Sequence, residues 1–77
     1  MVELLLYMVK AIVNHPEAVR VETIEGERSV ILRLDVAKED RGIIIGRHGR
    51  MADAIRVLLG AAAYKGKKRV LLEISED

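Results

Sequence analysis

Gly42-Ile43-Ile44-Ile45-Gly46-Arg47-His48-Gly49-Arg50, running directly into Met51-Ala52-Asp53-Ala54-Ile55-Arg56-Val57-Leu58-Leu59, is the stretch on which the fold turns. An apolar run stops at Gly46, two basic or titratable residues follow, and Gly49 opens a new helical pattern. This is a Gly-x-x-Gly turn between two helices. Glycine at both ends permits positive φ and lets another backbone approach closely. The start of the second helix leaves N–H donors without intrahelical partners, and these donors, the helix dipole and the flanking arginines together suit an anion. So short a glycine pattern arises by chance in many chains, and the flanking sequence has to decide its meaning.

Downstream of the turn, Met51, Ile55, Leu58, Leu59 and Ala62 are expected to form the inward stripe of a helix reaching about Tyr64, with Gly66 as its stop. Ala54, Val57 and Ala61 then form a second stripe facing outward. Lys65-Gly66-Lys67-Lys68 is a basic loop, and Arg69 to Ser75 alternates as a strand. Upstream, Lys38 to Ile45 reads as a short helix with Glu39 and Asp40 in its first turn, where negative charge is favourable. Ser29 to Val36 is a strand with Val30, Leu32, Leu34 and Val36 on one face and Ile31, Arg33 and Asp35 on the other. The acidic, glycine-containing turn Glu25 to Arg28 joins it to a strand over Val19 to Ile24. Leu5, Met8, Val9 and Ile12 mark an amino-terminal helix that Asn14-His15-Pro16 ends, because the residue before proline avoids the α region.

The order helix, strand, strand, helix, turn, helix, strand predicts an α+β domain over residues 1–77, with helices on one face of a three-stranded sheet. The chain has 77 residues, 51% of them hydrophobic and 32% charged, with no cysteine, which excludes disulfides and thiolate metal sites. No apolar run approaches a membrane span and the amino terminus lacks a basic leader, so a cytoplasmic location is expected. The net charge of +1 conceals a division: Lys38 to Arg69 holds nine basic and three acidic residues, a balance of +6, and the remainder four basic and nine acidic, a balance of −5. Such segregation directs a positive field at polyanions from one part of a near-neutral molecule.

With these elements in place, Ile44-Ile45-Gly46-Arg47-His48-Gly49-Arg50 resembles the Ile-Gly-x-x-Gly core of the KH domain, whose loop clamps a short stretch of single-stranded nucleic acid. The amino-terminal helix and strand ahead of the strand-helix-helix-strand core resemble the type II KH fold (α-β-β-α-α-β), and the small size resembles the standalone KH proteins of the KhpA group. The resemblance implies an RNA-binding, RNA-chaperone-like protein that pairs with itself or with a Jag-type KH partner. It implies that Gly46 and Gly49 let the sugar-phosphate chain approach, that Arg47 and His48 fill the variable pair, and that Arg50 adds charge. Lysine followed by an uncharged polar residue is common in the variable pair, and proline where Lys38 stands; His48 and Lys38 depart from that pattern.

The expected RNA-binding set is thus Gly46, Arg47, His48, Gly49, Arg50, Ile44, Ile45, Lys38, Arg41 and Lys65, and the expected dimer interface Ala54, Val57 and Ala61. Ile44 and Ile45 serve equally well as groove or as core. With Tyr7 and Tyr64 the only aromatic residues, no stacking platform accompanies the turn. No nucleophile, base and orienting group stand together, and no metal-ligand spacing exists, so neither enzyme activity nor a cofactor is expected. The competing readings are a protein-interaction or dimerisation module of the same fold that leaves the groove unused, and a binder of single-stranded DNA.

Overall fold

The computed structural model describes residues 1–64 and 66–76. Helix α1 spans Val2–Ile12, strands β1 and β2 span Arg20–Glu25 and Ser29–Asp35, helix α2 spans Arg41–Ile45, helix α3 Arg50–Ala62 and strand β3 Arg69–Ile74. The element order is the one the periodicities predict. What the sequence merges into one helix, Lys38 to Ile45, is a 3-10 turn over Lys38–Asp40 leading into α2.

The strands pair in the order β1-β2-β3. β1 lies antiparallel to β2, with Val21 opposite Leu34 and Ile24 opposite Ile31, as a short hairpin turn requires. β3 lies parallel to β2, with Leu32 opposite Leu72 and Leu34 opposite Ile74. A parallel neighbour needs a long crossover, and α2, the glycine turn and α3 supply it. The carboxyl-terminal ends of β2 and β3 therefore lie side by side: Ser75 N–H donates to Leu34 O at 2.8 Å.

One face of the sheet carries the core. Leu32, Leu34 and Leu72 pack with Leu5, Val9 and Val13, with Ile44 of α2, and with Ile55 and Leu59 of α3. The alternation of β2 is as expected, and its other face carries the ion-paired row Glu22–Arg33–Glu73, with both Arg33 contacts at 3.1 Å. The phase of α3 differs from the expectation. Its buried residues are Ala52, Ile55 and Leu59, while Met51 and Leu58 turn outward. Apolar residues encircle most of this helix, so a period of 3.6 fits more than one face; packing against β3 and α2 selects the one with Ala52.

Asp40 ties α1 to the second half of the fold. Its carboxylate is fully buried and accepts hydrogen bonds from Asn14 N–H at 3.2 Å and His15 N–H at 2.9 Å. These are backbone groups freed where α1 ends, so a side chain 25 and 26 residues away serves as their acceptor. His15 itself stands 3.7 Å from both Glu17 and Glu39. Among the described residues no helix is long and apolar enough to cross a membrane.

Candidate nucleic-acid interface

α2 stops because Gly46 leaves the helical region. Its N–H still closes the last turn on Gly42 O at 2.9 Å, but φ is 77° and ψ 173°, a combination essentially confined to glycine. Residues Arg47–Gly49 then form a 3-10 turn with two consecutive left-handed residues, His48 at φ 60°, ψ 25° and Gly49 at φ 75°, ψ 9°. Gly49 N–H bonds Gly46 O at 3.2 Å, and Arg50 N–H bonds Arg47 O as α3 begins. A non-glycine residue held left-handed carries strain of about 1–2 kcal/mol, and such residues gather at ligand-binding turns. The strained turn presents Arg47 and His48 to solvent.

Beside this turn lies a groove of about 250 Å³. Its walls are Arg41 and Ile45 of α2, Gly49 of the turn, Ala52, Asp53 and Arg56 of α3, and Ile74, Ser75 and Glu76 at the end of β3. Ile45 is 42% exposed and, with Ala52 and Ile74, gives the groove an apolar floor. Two guanidinium groups stand on its rim. Arg41 Nη1 donates to Glu76 O at 2.7 Å, while its Nε is buried without a hydrogen-bond partner among the described residues. Arg56 Nη1 pairs with Asp53 Oδ1 at 3.3 Å. An apolar floor with cationic edges suits flat bases below and phosphates at the rim.

The expected site residues separate accordingly. Arg41, Ile45 and Gly49 meet in the groove, whereas Arg47, His48 and Arg50 are exposed on either side of Gly49 in the chain and are not among the residues that line it. Ile44 is fully buried, so of the two isoleucines one is core and the other lines the groove. Lys38 is exposed but lies at the end of α2 remote from the turn. Lys65 falls outside the described residues. Ala54, Val57 and Ala61 face outward as expected, joined by Leu58; Val57 is 70% and Leu58 53% exposed. Arg56, Asp53 and the segment Ile74–Glu76 were not anticipated. Arg56 stands seven residues beyond Gly49, two helical turns along the same side of α3, a spacing that could have found it. The β3 residues reach the groove only through the parallel pairing, which no local signal announces.

A family profile described as KhpA/KhpB, KH domain, matches residues 2–74. Among curated proteins, the RNA-binding protein KhpA of Caldanaerobacter subterraneus subsp. tengcongensis is 53% identical over 72 residues, covering 94% of this chain and 96% of its own. The RNA-binding protein KhpA of Borreliella burgdorferi is 52% identical over 73 residues, covering 95% and 89%. That of Chlamydia pneumoniae is 46% identical over 77 residues, covering 100% and 99%. No solved structure matches the chain.

Proposed function

The chain belongs to the KhpA/KhpB KH domain family, and from that membership and the geometry of its turn we propose that it is an RNA-binding protein gripping single-stranded RNA by the backbone. The observation that carries this reading is the strained turn Gly46 to Gly49 standing at the open groove between α2, α3 and the end of β3. Arg47 and Arg50 offer charge to phosphates, the donors at the start of α3 add partial positive charge, and Gly49 keeps that approach free of side chains. Bases then lie over Ile45, Ala52 and Ile74, with Arg41 and Arg56 at the rim. Without an aromatic residue in the groove, this grip positions a strand but reads its sequence weakly.

The test is binding of a short single-stranded RNA by the chain and by the Arg47→Asp, His48→Asp double variant, with folding monitored by circular dichroism. Loss of at least tenfold in affinity is expected, and equal affinity in the two folded proteins would overturn the clamp. The same measurement with single-stranded DNA decides whether the 2′-hydroxyl contributes. RNA-chaperone activity, the finer form of this reading, is tested by strand annealing with the same pair of proteins.

Weak binding by one small site gains from a second linked site, which raises effective concentration. The exposed patch Ala54, Val57, Leu58 and Ala61 supports pairing through α3, since small residues allow close helix approach and two large apolar side chains stand in solvent. A second copy is the simplest occupant, with a Jag-type KH protein the alternative that a mixing experiment tests. Light scattering is expected to give the mass of a dimer at high micromolar concentration and of a monomer for Val57→Asp. A monomeric wild-type chain would refute self-pairing.

A further inference from the structure

Helix α1 buries one side and leaves the other exposed. Leu5 and Val9 are fully buried, and Val2, Leu6 and Ile12 pack around them. Turned away from that core, Leu4, Tyr7 and Ala11 follow one another at three- and four-residue steps and are all exposed, Tyr7 at 78%. Glu3 and Lys10 flank this stripe on one edge, since residues seven apart return to the same side of a helix. Both are exposed, and neither makes an ion pair with another described residue, whereas Arg33, Arg56 and Lys68 are all paired.

The pattern is self-complementary. Two copies of α1 laid antiparallel about a two-fold axis, with Glu3 of each level with Lys10 of the other, bring an acid to a base twice over along one edge of the pair. A parallel pair would set Glu3 against Glu3 and Lys10 against Lys10. The alignment fixed by charge also fixes the apolar contacts. At equal rise per residue, Tyr7 of the two copies meets near the axis, and Leu4 of each stands midway in height between Tyr7 and Ala11 of the other. A leucine entering the gap between a tyrosine and an alanine is the interlocking that helix packing requires.

We infer that α1 is a self-association surface whose occupant is α1 of a second copy, antiparallel, with the apolar stripes packed together and two Glu3–Lys10 ion pairs between the chains. It needs neither the RNA site nor the α3 patch: α1 packs on β1 and α2, and α3 on α2 and β3. The 11 residues of α1 extend about 16 Å. That is too short to bury the roughly 1,600 Å² of a standard interface, so the contact is weak in free solution, with Kd on the order of 1 mM. It gains weight where another contact already concentrates the copies. A chain with isologous surfaces on both α1 and α3 then joins its pairs into larger assemblies.

Sedimentation equilibrium at about 1 mM tests it, on chains carrying Val57→Asp so that the α3 patch does not contribute. The Val57→Asp chain is expected to self-associate. Glu3→Lys and Lys10→Glu, each added to it, are expected to weaken that association about tenfold, since each turns two attractions into two repulsions. Mixed in equal amounts, the two variants are expected to recover the association of the parent chain, because the acids of one then face the bases of the other. A role confined to the helix dipole, which also favours an acid in the first turn and a base in the last, predicts lower thermal stability for each variant and no recovery on mixing. A Val57→Asp chain that stays monomeric at this concentration, or a mixture that recovers nothing, would overturn the inference. If the charge variants dissociate a wild-type dimer that Val57→Asp leaves intact, α1 is the main interface and pairing through α3 fails.

Discussion

Gly46 and Gly49 hold equivalent places in the sequence motif, and both have positive φ, yet the turn needs them for different reasons. A Cβ on Gly46 would lie 2.5 Å from Met51 Cβ and 2.7 Å from its backbone nitrogen, whereas a Cβ on Gly49 would meet nothing within 4 Å. Gly46 is therefore required by the fold twice over, by dihedral and by contact; Gly49 is required only by its dihedral. Gly46→Ala is expected to destabilise the protein by about 3 kcal/mol or more, adding a backbone clash to a conformation open only to glycine. Gly49→Ala is expected to cost about 1 kcal/mol. Urea denaturation of the two variants checks the order, and equal losses would show that the close approach of Met51 relaxes freely. The sequence identified both glycines but could not rank them, since the rank depends on a neighbour five residues on that returns over Gly46. Asp40 illustrates the same limit more sharply. As an acid in a first helical turn it has a sufficient local explanation, and nothing near it in the chain reveals that its carboxylate is buried under the backbone of Asn14 and His15.

Element by element, the order along the chain was legible because each segment carries its own period and its own breaker: Pro16 after α1, Gly26 in the hairpin turn, Gly46 after α2, Gly66 after α3. The phase of α3 was not. Leu58 and Leu59 are chemically identical, and a seven-residue window admits both on one face, but only Leu59 reaches the core; it is 1% exposed. Leu59→Ala is expected to cost about 2–5 kcal/mol, through lost transfer energy and the cavity left against β3 and α2. Leu58→Ala, measured at a concentration low enough for the chain to be monomeric, is expected to change stability by less than about 0.5 kcal/mol. Thermal denaturation distinguishes them, and comparable losses would return α3 to the phase its sequence suggested. The helix consequently buries Ala52, Ile55 and Leu59 in the core, leaves Ala54, Val57 and Leu58 exposed, and lends Ala52, Asp53 and Arg56 to the groove beside β3.

For the molecule as a whole, the division of charge along the chain does not become a single positive face. Folding sets β3 against β2 and so brings the basic loop within reach of the acidic hairpin, where Lys68 meets Glu25, while Lys38 is carried to the far end of α2. What remains near the glycine turn is a small group, Arg47 and Arg50 with Arg41 and Arg56 at the groove. Charges farther away than about 8–10 Å are screened at ordinary ionic strength, so the field a short RNA meets is that of this group and not of all nine basic residues. If about three phosphates are neutralised there, the single-strand slope of about −0.7 per phosphate gives roughly a twentyfold loss of affinity between about 50 and 200 mM salt. A salt titration of a short single-stranded RNA therefore measures how many phosphates this group engages. The Arg47→Asp, His48→Asp double variant is expected to lower the slope by about 0.7 for each phosphate it releases, and an unchanged slope would place the contacts elsewhere on the fold.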